Sequence, residues 1–537
     1  MKHLKYLLLV VLAMMATGIF QSCEILGMLD DIVKVPEGED GNEETPKEED
    51  DGVVKDNDDF VILFTNDFHS QIEPTDDDRG GALRLKALVD SVRTAEQVVL
   101  LADAGDLVQG SYYFSLLNGV VEMQMLEMMG YDIRTIGNHE FDKKMAGLGD
   151  MLAMSKVPAV ASNYDFSSTD LAQYIDDSRI VDAGRIKVGF IGLNVRLLNL
   201  VDPKACEGVV WQDAINVADA RAEELKNQGA DIVIALSHLG YEANDDRVYY
   251  DRGIAMNTRH IDMIIGGHSH TMLRNADYIT NLDGDQVPVV QTGSRGYNLG
   301  YAKIHIDKKG KPSFEYRLIP VDNRLDDRTD PAFSDIIDAY AVEVKARMDE
   351  KLGYSKYNIT RSTNSNGQSR LGNLSADGLI WMAKEYYDVN ADVSVYNTGG
   401  IRANIEKGDI TLGDVYAVYP FDNILSILEI RGKDLKELFN SVAAGSLPAG
   451  GDIKVIIADG NIKSVTVNGK QIVDNQIYTV ATIDYLANLG RYGLGNAISR
   501  RDGSEFVRDL YGEYFKYIAS QNNGYIDGPL DDRIIVE

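Results

Sequence analysis

The octet Thr135-Ile136-Gly137-Asn138-His139-Glu140-Phe141-Asp142 closes a short apolar run and sets several kinds of chemistry side by side. Asn138 offers a neutral oxygen ligand and His139 a titratable imidazole. Asp142 stands close enough in sequence to hold that imidazole in one tautomer. Four other segments have a similar make-up: Asp67-Phe68-His69, Asp103-Ala104-Gly105-Asp106, Ser237-His238 and Gly266-Gly267-His268-Ser269-His270. Five of the chain's eight histidines, His69, His139, His238, His268 and His270, fall in these motifs. Carboxylate, imidazole and amide donors in this mixture suit divalent ions such as Zn or Mn. They suit structural zinc or an iron–sulfur cluster poorly, because the motifs contain no thiolate. Residues i and i+2 of an extended segment project to one side, so Asp67 and His69 are expected to face a single ion. His268 and His270 share that spacing and could feed two neighbouring ions.

Something must bring these motifs together, and each one follows a strand-like run. Apolar residues 60–64 lead into Thr65-Asn66-Asp67, residues 98–101 into Asp103, residues 232–236 into Ser237-His238, and residues 263–265 into Gly266. A helical pattern over residues 214–228, just before Asp231, predicts βα units, whose strand ends are where ligands gather. Residues 110–129 read as a loop passing into an apolar helix whose methionines belong to the core. Gly80-Gly81 and residues 293–300 read as turns rather than phosphate cradles.

With 537 residues the chain exceeds what one hydrophobic core organises, so two sizeable domains are expected. At 44% apolar and 26% charged it is globular rather than disordered. The N-terminus reads as a sorting signal: Lys2, His3 and Lys5 precede an apolar run that is short for a bilayer span and closes on small and polar residues before Cys23. Phe20-Gln21-Ser22-Cys23 resembles a bacterial lipobox, which implies a lipid on Cys23 and a membrane anchor. Residues 24–59 hold 15 acidic residues against three lysines, a net 12 of the chain's 31 negative charges, and read as an extended tether. Overall acidity argues against a nucleic-acid polymer as partner; it is compatible with a metal site, where the ions supply the positive charge. The second cysteine, Cys206, leaves no disulfide framework.

Asp330-Pro331 predicts a helix start, with Asp as N-cap and Pro in the first turn. Ile336, Tyr340, Val344, Met348 and Leu352 then recur every fourth residue until Gly353, a suitable stop. Some 22 residues at 1.5 Å each would make a rod of roughly 33 Å. Beyond His305 there is no further histidine, so the C-terminal part cannot supply an imidazole-rich site.

Asp-x-His, Gly-Asp, Gly-Asn-His-Glu, a lone His after a strand and Gly-His-x-His, in this order, resemble the calcineurin-like metallophosphoesterases. Thr65-Asn66-Asp67-Phe68-His69 and Asn138-His139-Glu140-Phe141-Asp142 are similar to the 5'-nucleotidase branch, which includes the periplasmic UDP-sugar hydrolases. The likeness covers most of residues 60 to 530. It implies an α/β fold, a four-layer αββα phosphoesterase domain followed by a linking helix and a second α/β substrate-binding domain. It also implies two divalent ions, with Asp67, His69 and His270 on one, Asn138, His238 and His268 on the other, and Asp106 bridging. Two cations about 3.5–4 Å apart would clamp a phosphate and activate water for in-line displacement. His139, oriented by Asp142, would stabilise the transition state or protonate the leaving group. The domain plan is then signal peptide 1–22, tether 23–58, phosphoesterase domain 59–325, linking helix and hinge 326–354, and C-terminal domain 355–537. The likeness puts the hinge near residues 351–354.

Asn397-Thr398-Gly399-Gly400-Ile401-Arg402 is similar to the family's substrate segment, which implies contacts from Asn397 and Arg402. Phe421 in Tyr419-Pro420-Phe421-Asp422-Asn423 and Tyr485 in Tyr485-Leu486-Ala487-Asn488 match the two aromatic walls for a nucleobase. Two departures stand out. An expected arginine falls near Gly367, leaving Arg370 as the nearest candidate, and Arg491 lies where the family has an aspartate. The expected activity is hydrolysis of nucleoside 5'-monophosphates or related nucleotides outside the cytoplasm. Competing readings are a 2',3'-cyclic nucleotide phosphodiesterase or 3'-nucleotidase, another phosphoesterase, and a non-catalytic surface binding lipoprotein. The complete ligand set from Asp67 to His270 speaks against the last.

Overall fold

The computed structural model describes residues 59–197, 200–201, 203–242, 249–421 and 423–537. The expected signal, Cys23 and nearly all of the acidic tether lie outside the described residues, as does Asp422. No helix among the described residues is long and apolar enough to cross a membrane. The chain divides into two compact units. One is built from residues up to Phe141, Met145–Arg196 and Gly208–Ala339, the other from Asp142–Lys144, Leu197–Glu207 and Tyr340–Glu537.

Runs of β-branched and aromatic residues without polar alternation form strands covered on both faces. All seven residues of Ile232–His238 are buried, as are six of seven in Asp59–Thr65. In the first unit these strands make two sheets. One runs Pro312–Pro320, Asn298–Ile306, Asp59–Thr65, Val99–Asp103, Ile133–Thr135, Ala159–Val160 and Ile175–Asp176. The other runs Asp277–Thr280, Gln286–Val290, Met263–Gly266, Ile232–His238, Ile186–Asn194 and Ser178–Ala183. Phe60, Ile62, Phe64 and Ile133 of one sheet share a core with Phe190, Ile234, Leu236 and Ile265 of the other. Helices Ala214–Asn227 and Asp251–Asn257 close the outer face of the second sheet, packing Ala218, Ala222, Leu225 and Ile254 on Val233 and Ala235. Helices Ala82–Ala95 and Val120–Met129 connect parallel strands of the first sheet and bury Leu85, Leu88, Met125 and Met129. The result is a helix–sheet–sheet–helix sandwich.

Asp59–Thr65, Val99–Asp103 and Ile133–Thr135 are mutually parallel, as are Ile186–Asn194, Ile232–His238 and Met263–Gly266. Parallel pairing brings the C-terminal ends of all the ligand-bearing strands to one edge.

Two expectations about helices need correction. Residues 110–129 form two helices, Tyr112–Leu117 and Val120–Met129, because Asn118 and Gly119 turn left-handed at φ 53° and 87°. The helix beginning at Pro331 is capped as expected, with Ala332 N–H donating to Asp330 Oδ1 at 2.9 Å, but it ends at Met348. Lys351–Ser355, where the hinge was expected, is a strand paired antiparallel with Gly408–Thr411. Leu352 fits a four-residue spacing and is buried in a strand all the same, since tertiary pairing overrides a single periodic match. The helix is therefore 18 residues long, about 27 Å at 1.5 Å each.

The second unit holds a five-stranded sheet, ordered Ala449–Gly450, Val393–Val395, Ile477–Ile483, Ile424–Arg431 and Ser499–Phe506, and a smaller four-stranded one. Helix Arg370–Tyr387 starts at Ser369, whose side chain accepts from Gly372 N–H, and buries Leu371, Leu374, Leu379 and Met382. Within the unit Tyr419 and Tyr511 stack at 3.8 Å, and Tyr419 shares a hydrogen bond with Ser375.

Candidate metal centre

At the shared strand edge the side chains fall into two groups, Asp67 with His69 and His270, and Asp106 with His238 and His268. Within each group the ligand atoms lie within 4.8 Å of one another. His69 Nε2 is 2.9 Å from His270 Nε2, and Asp67 Oδ1 is 3.4 Å from His270 Nε2 and 4.0 Å from His69 Nε2. His238 Nε2 is 2.9 Å from Asp106 Oδ2. Asn138 Oδ1 joins the second group, 2.9 Å from His268 Nδ1. The backbone N–H of His268 donates to both Asp67 oxygens at 3.0 Å, which ties the groups together.

Asp67 and His69 do converge, but not as alternate residues of an extended chain. The strand stops at Thr65, and φ is 49° at Asp67 and 50° at His69. Asp106, His268 and His270 are also left-handed, at 52°, 72° and 54°. Non-glycine residues hold such conformations where their surroundings over-determine them, and here three buried side chains do so. Glu140, 2% exposed, accepts from the backbone N–H groups of Asp106, Leu107 and Gly137 at 3.2, 3.0 and 2.6 Å. Asn66 donates to Asp67 Oδ2 at 2.6 Å and accepts from Thr292 N–H and Oγ1. Asp103 takes Thr65 Oγ1 and Gly105 N–H at 2.7 and 3.0 Å. Sequence reasoning missed all three roles; the only signal was that each polar residue abuts a ligand motif.

Glycines make the space. A Cβ on Gly137 would run into Asp106 Oδ1 and His238 Nε2, and one on Gly267 would sit 2.9 Å from His238 Nδ1 and 3.2 Å from Asp67 Oδ2.

The electrostatics fit a cation. Burial holds the His69 and His268 imidazoles down at about 4, so both are neutral ligands at neutral pH. Burial would also depress His238, but the Asp106 carboxylate outweighs it and carries His238 up to about 10. Burial pushes against Asp106 too, yet His238 and His139 hold it well below the usual carboxylate range. Two carboxylates buried together demand positive charge, and a divalent ion would supply more of it than one imidazolium. His238 Nε2 faces Asp106 Oδ2 at 2.9 Å, the contact that couples their charges. His238 Nδ1 donates to Ala104 O at 2.9 Å, so Nε2 is the nitrogen that would ligate. Ligands about 2.0–2.2 Å from one metal stand about 3–3.5 Å apart, and the separations above bracket that range. The residues present fit bound divalent ions.

The family model for calcineurin-like phosphoesterase matches residues 60–272, and that for the 5'-nucleotidase C-terminal domain matches residues 346–493. The chain belongs to the 5'-nucleotidase family of calcineurin-like phosphoesterases. It is a phosphoesterase hydrolase. It is 27% identical to the trifunctional nucleotide phosphoesterase YfkN of Bacillus subtilis, over 93% of this chain and 36% of that one, so it spans about a third of that relative's length. With mouse 5'-nucleotidase it shares 29% identity over 71% of each chain. Among solved structures, the 5'-nucleotidase precursor of Thermus thermophilus is 26% identical, with 89% of this chain and 99% of that one covered and a TM-score of 0.58. The Haemophilus influenzae NAD nucleotidase has the same fold, at 21% identity over 89% and 99% of the two chains and a TM-score of 0.65.

In this 5'-nucleotidase-family chain His139 stands beside the first group, its ring 5.5 Å from that of His69, and its backbone N–H donates to Asp106 Oδ1 at 2.9 Å. Asp142 is 7% exposed and is grouped with the second compact unit, whereas His139 belongs to the first. In the second unit Arg402 lies 5.7 Å from the Phe421 ring, and Phe421 and Tyr485 are 45% and 51% exposed. Asn397 Oδ1 is buried without a hydrogen-bond partner. Arg370, the nearest candidate for the family's arginine, also lies in this unit. Its Nη1 donates to Tyr357 Oη, Asp527 Oδ1 and Gly528 O at 3.0, 2.9 and 2.8 Å, and its guanidinium lies 4.4 Å over the Tyr357 ring. These contacts orient its guanidinium, and the Asp527 partner, 157 positions away, could not be read from neighbouring sequence.

Proposed function

We propose that this protein is a dinuclear-metal phosphohydrolase that converts nucleoside 5'-monophosphates to nucleoside and phosphate. The observation that carries the reading is the convergence of six carboxylate and imidazole side chains, in two adjoining groups, at the ends of parallel strands. Asp67, His69 and His270 would hold one Zn, Mn or similar ion and Asn138, His238 and His268 the second, with Asp106 available to both. Ions bound there would supply the positive charge that polarises a phosphoryl group and lowers the pKa of water.

The remaining work belongs to side chains. His139, its tautomer held by Asp142, gives a proton to the leaving oxygen as the bond from phosphorus to that oxygen breaks, or steadies the charge on the phosphoryl group. No protein nucleophile is needed. Phe421 and Tyr485 take the flat base, a use supported by their exposure, since rings serving only the core would be buried. Asn397 and Arg402, in the adjoining segment, contact the substrate. Domains at 59–325 and 355–537, joined through 326–354, divide the labour between chemistry and recognition. Lipid on Cys23 anchors the body to the bacterial envelope.

The relatives named 5'-nucleotidase support the choice of substrate. A second reading, in which 3'- or cyclic nucleotides are also taken, is favoured by the Bacillus relative named as a trifunctional nucleotide phosphoesterase and by the cation at Arg491. Phosphate release by Mn- or Zn-loaded protein, measured over 5'-, 3'- and cyclic nucleotides and a small synthetic ester, tests both readings. The expected result is turnover highest on 5'-monophosphates, with a Phe421→Ala, Tyr485→Ala double variant losing nucleotide affinity while keeping the synthetic ester. No release from any nucleotide would defeat the proposal.

A further inference from the structure

The turn that carries His268 and His270 is the part of the centre that burial holds least. Both histidines are left-handed, at φ 72° and 54°, a backbone state that L residues seldom keep unaided. His270 is also the exposed ligand, its side chain 47% accessible against 7% for His69 and 0% for Asp67. Packing therefore cannot fix its imidazole, and the turn has to be held from elsewhere.

The side chain that holds it is Gln291, one residue past the strand Gln286–Val290 and fully buried. Its Oε1 accepts from Ser269 Oγ at 3.0 Å and from Thr271 N–H at 2.7 Å, so it grips the residues on either side of His270. A backbone N–H can only donate, which settles which end of the amide is oxygen. Two backbone bonds at 3.1 Å, Leu273 N–H to Gln291 O and Gly293 N–H to Thr271 O, set the same two stretches in register. The next residue, Thr292, holds Asn66, and Asn66 donates to Asp67. Consecutive residues that ligate nothing thus brace two ligands of one group.

Gln291 Nε2 is buried without a hydrogen-bond partner. An unpaired buried donor is unfavourable, so a side chain chosen only to fill this space would be apolar. What the position uses is the accepting oxygen.

We infer that Gln291 is a positioning residue for the ion held by Asp67, His69 and His270. Its Oε1 keeps the strained turn folded so that the His270 imidazole stays aimed at its two partners. The inference rests on reading those three residues as metal ligands.

Cobalt titration of chelator-stripped protein tests it, followed by visible absorbance and by competition with a chromophoric chelator. The wild type is expected to take up two ions in resolvable steps. Gln291→Met, which keeps length and apolar volume but has no accepting oxygen, should weaken one step by about tenfold or more and alter its absorbance, while the other step stays within about twofold. Gln291→Glu, which keeps an acceptor, should restore the affected step to within about threefold of wild type. If the Met variant does not fold, Ser269→Ala decides instead: Ser269 is exposed, and losing its hydroxyl should weaken the same step by a smaller factor. Wild-type binding at both steps in Gln291→Met, no change in Ser269→Ala, or equal weakening of both steps would overturn the inference. A wild-type chain that binds no cobalt would instead defeat the metal reading itself.

Discussion

Five of the seven proposed ligand residues, Asp67, His69, Asp106, His268 and His270, sit in left-handed backbone. Each such residue costs on the order of 1–3 kcal/mol, and Glu140, Asn66 and Gln291 offset that cost with hydrogen bonds to the same turns. The candidate ligands were legible in the sequence because their chemistry is rare and recurs behind strands. The braces were not, because a glutamate or glutamine is informative only once its partners, tens or hundreds of positions away, are known. His139 makes the clearest prediction at this scale: His139→Ala should lower kcat about 10²–10⁴-fold with metal content unchanged, and activity within about threefold of wild type would remove its proposed role. A second prediction concerns Asp251, which is fully buried, accepts from Ser237 Oγ at 2.6 Å and is pushed by burial up to about 8. The folded state then keeps a proton that the unfolded chain has already lost above about pH 4. Its contribution to stability is present at low pH and is lost as pH rises towards 8. Asp251→Asn cannot ionise, so the melting temperature of metal-stripped wild type should fall relative to that of the variant between about pH 5 and pH 8.5. Parallel melting curves across that window would show that the carboxyl is ionised when folded.

Strands were easier to read than helices. Runs such as Ile232–His238 are apolar over nearly their whole length, and only a doubly covered parallel sheet buries both faces of such a run. Helix ends were harder, since Leu352 satisfies a four-residue spacing and a strand equally well, and pairing with Gly408–Thr411 decides the outcome. The break at Asn118-Gly119 was marked by the glycine but not by periodicity. The element that most needs its partners is Ile186–Asn194, whose Phe190 lies fully buried in the core shared by the two sheets. Phe190→Ala should cost about 3–5 kcal/mol by lost burial and cavity formation. Chemical denaturation of the intact chain reads this directly, and a loss below about 1 kcal/mol would mean that the sheets close up around the gap.

For the molecule as a whole, the proposed division of labour follows the distribution of histidine. All eight precede residue 306, and those in the strand-end motifs gather in the first unit, while the second unit offers exposed rings and an arginine. A net charge of −31 makes a buried cation centre more favourable and a nucleic-acid polymer less so. Side chains from five separate motifs are proposed to form two metal sites. Anomalous diffraction from crystals of the protein grown with Mn or Zn measures this most directly. Two peaks are expected, one enclosed by Asp67, His69 and His270 and the other by Asp106, Asn138, His238 and His268, with Asp106 reaching both. Peaks elsewhere on the chain, or none at this strand edge, would contradict it.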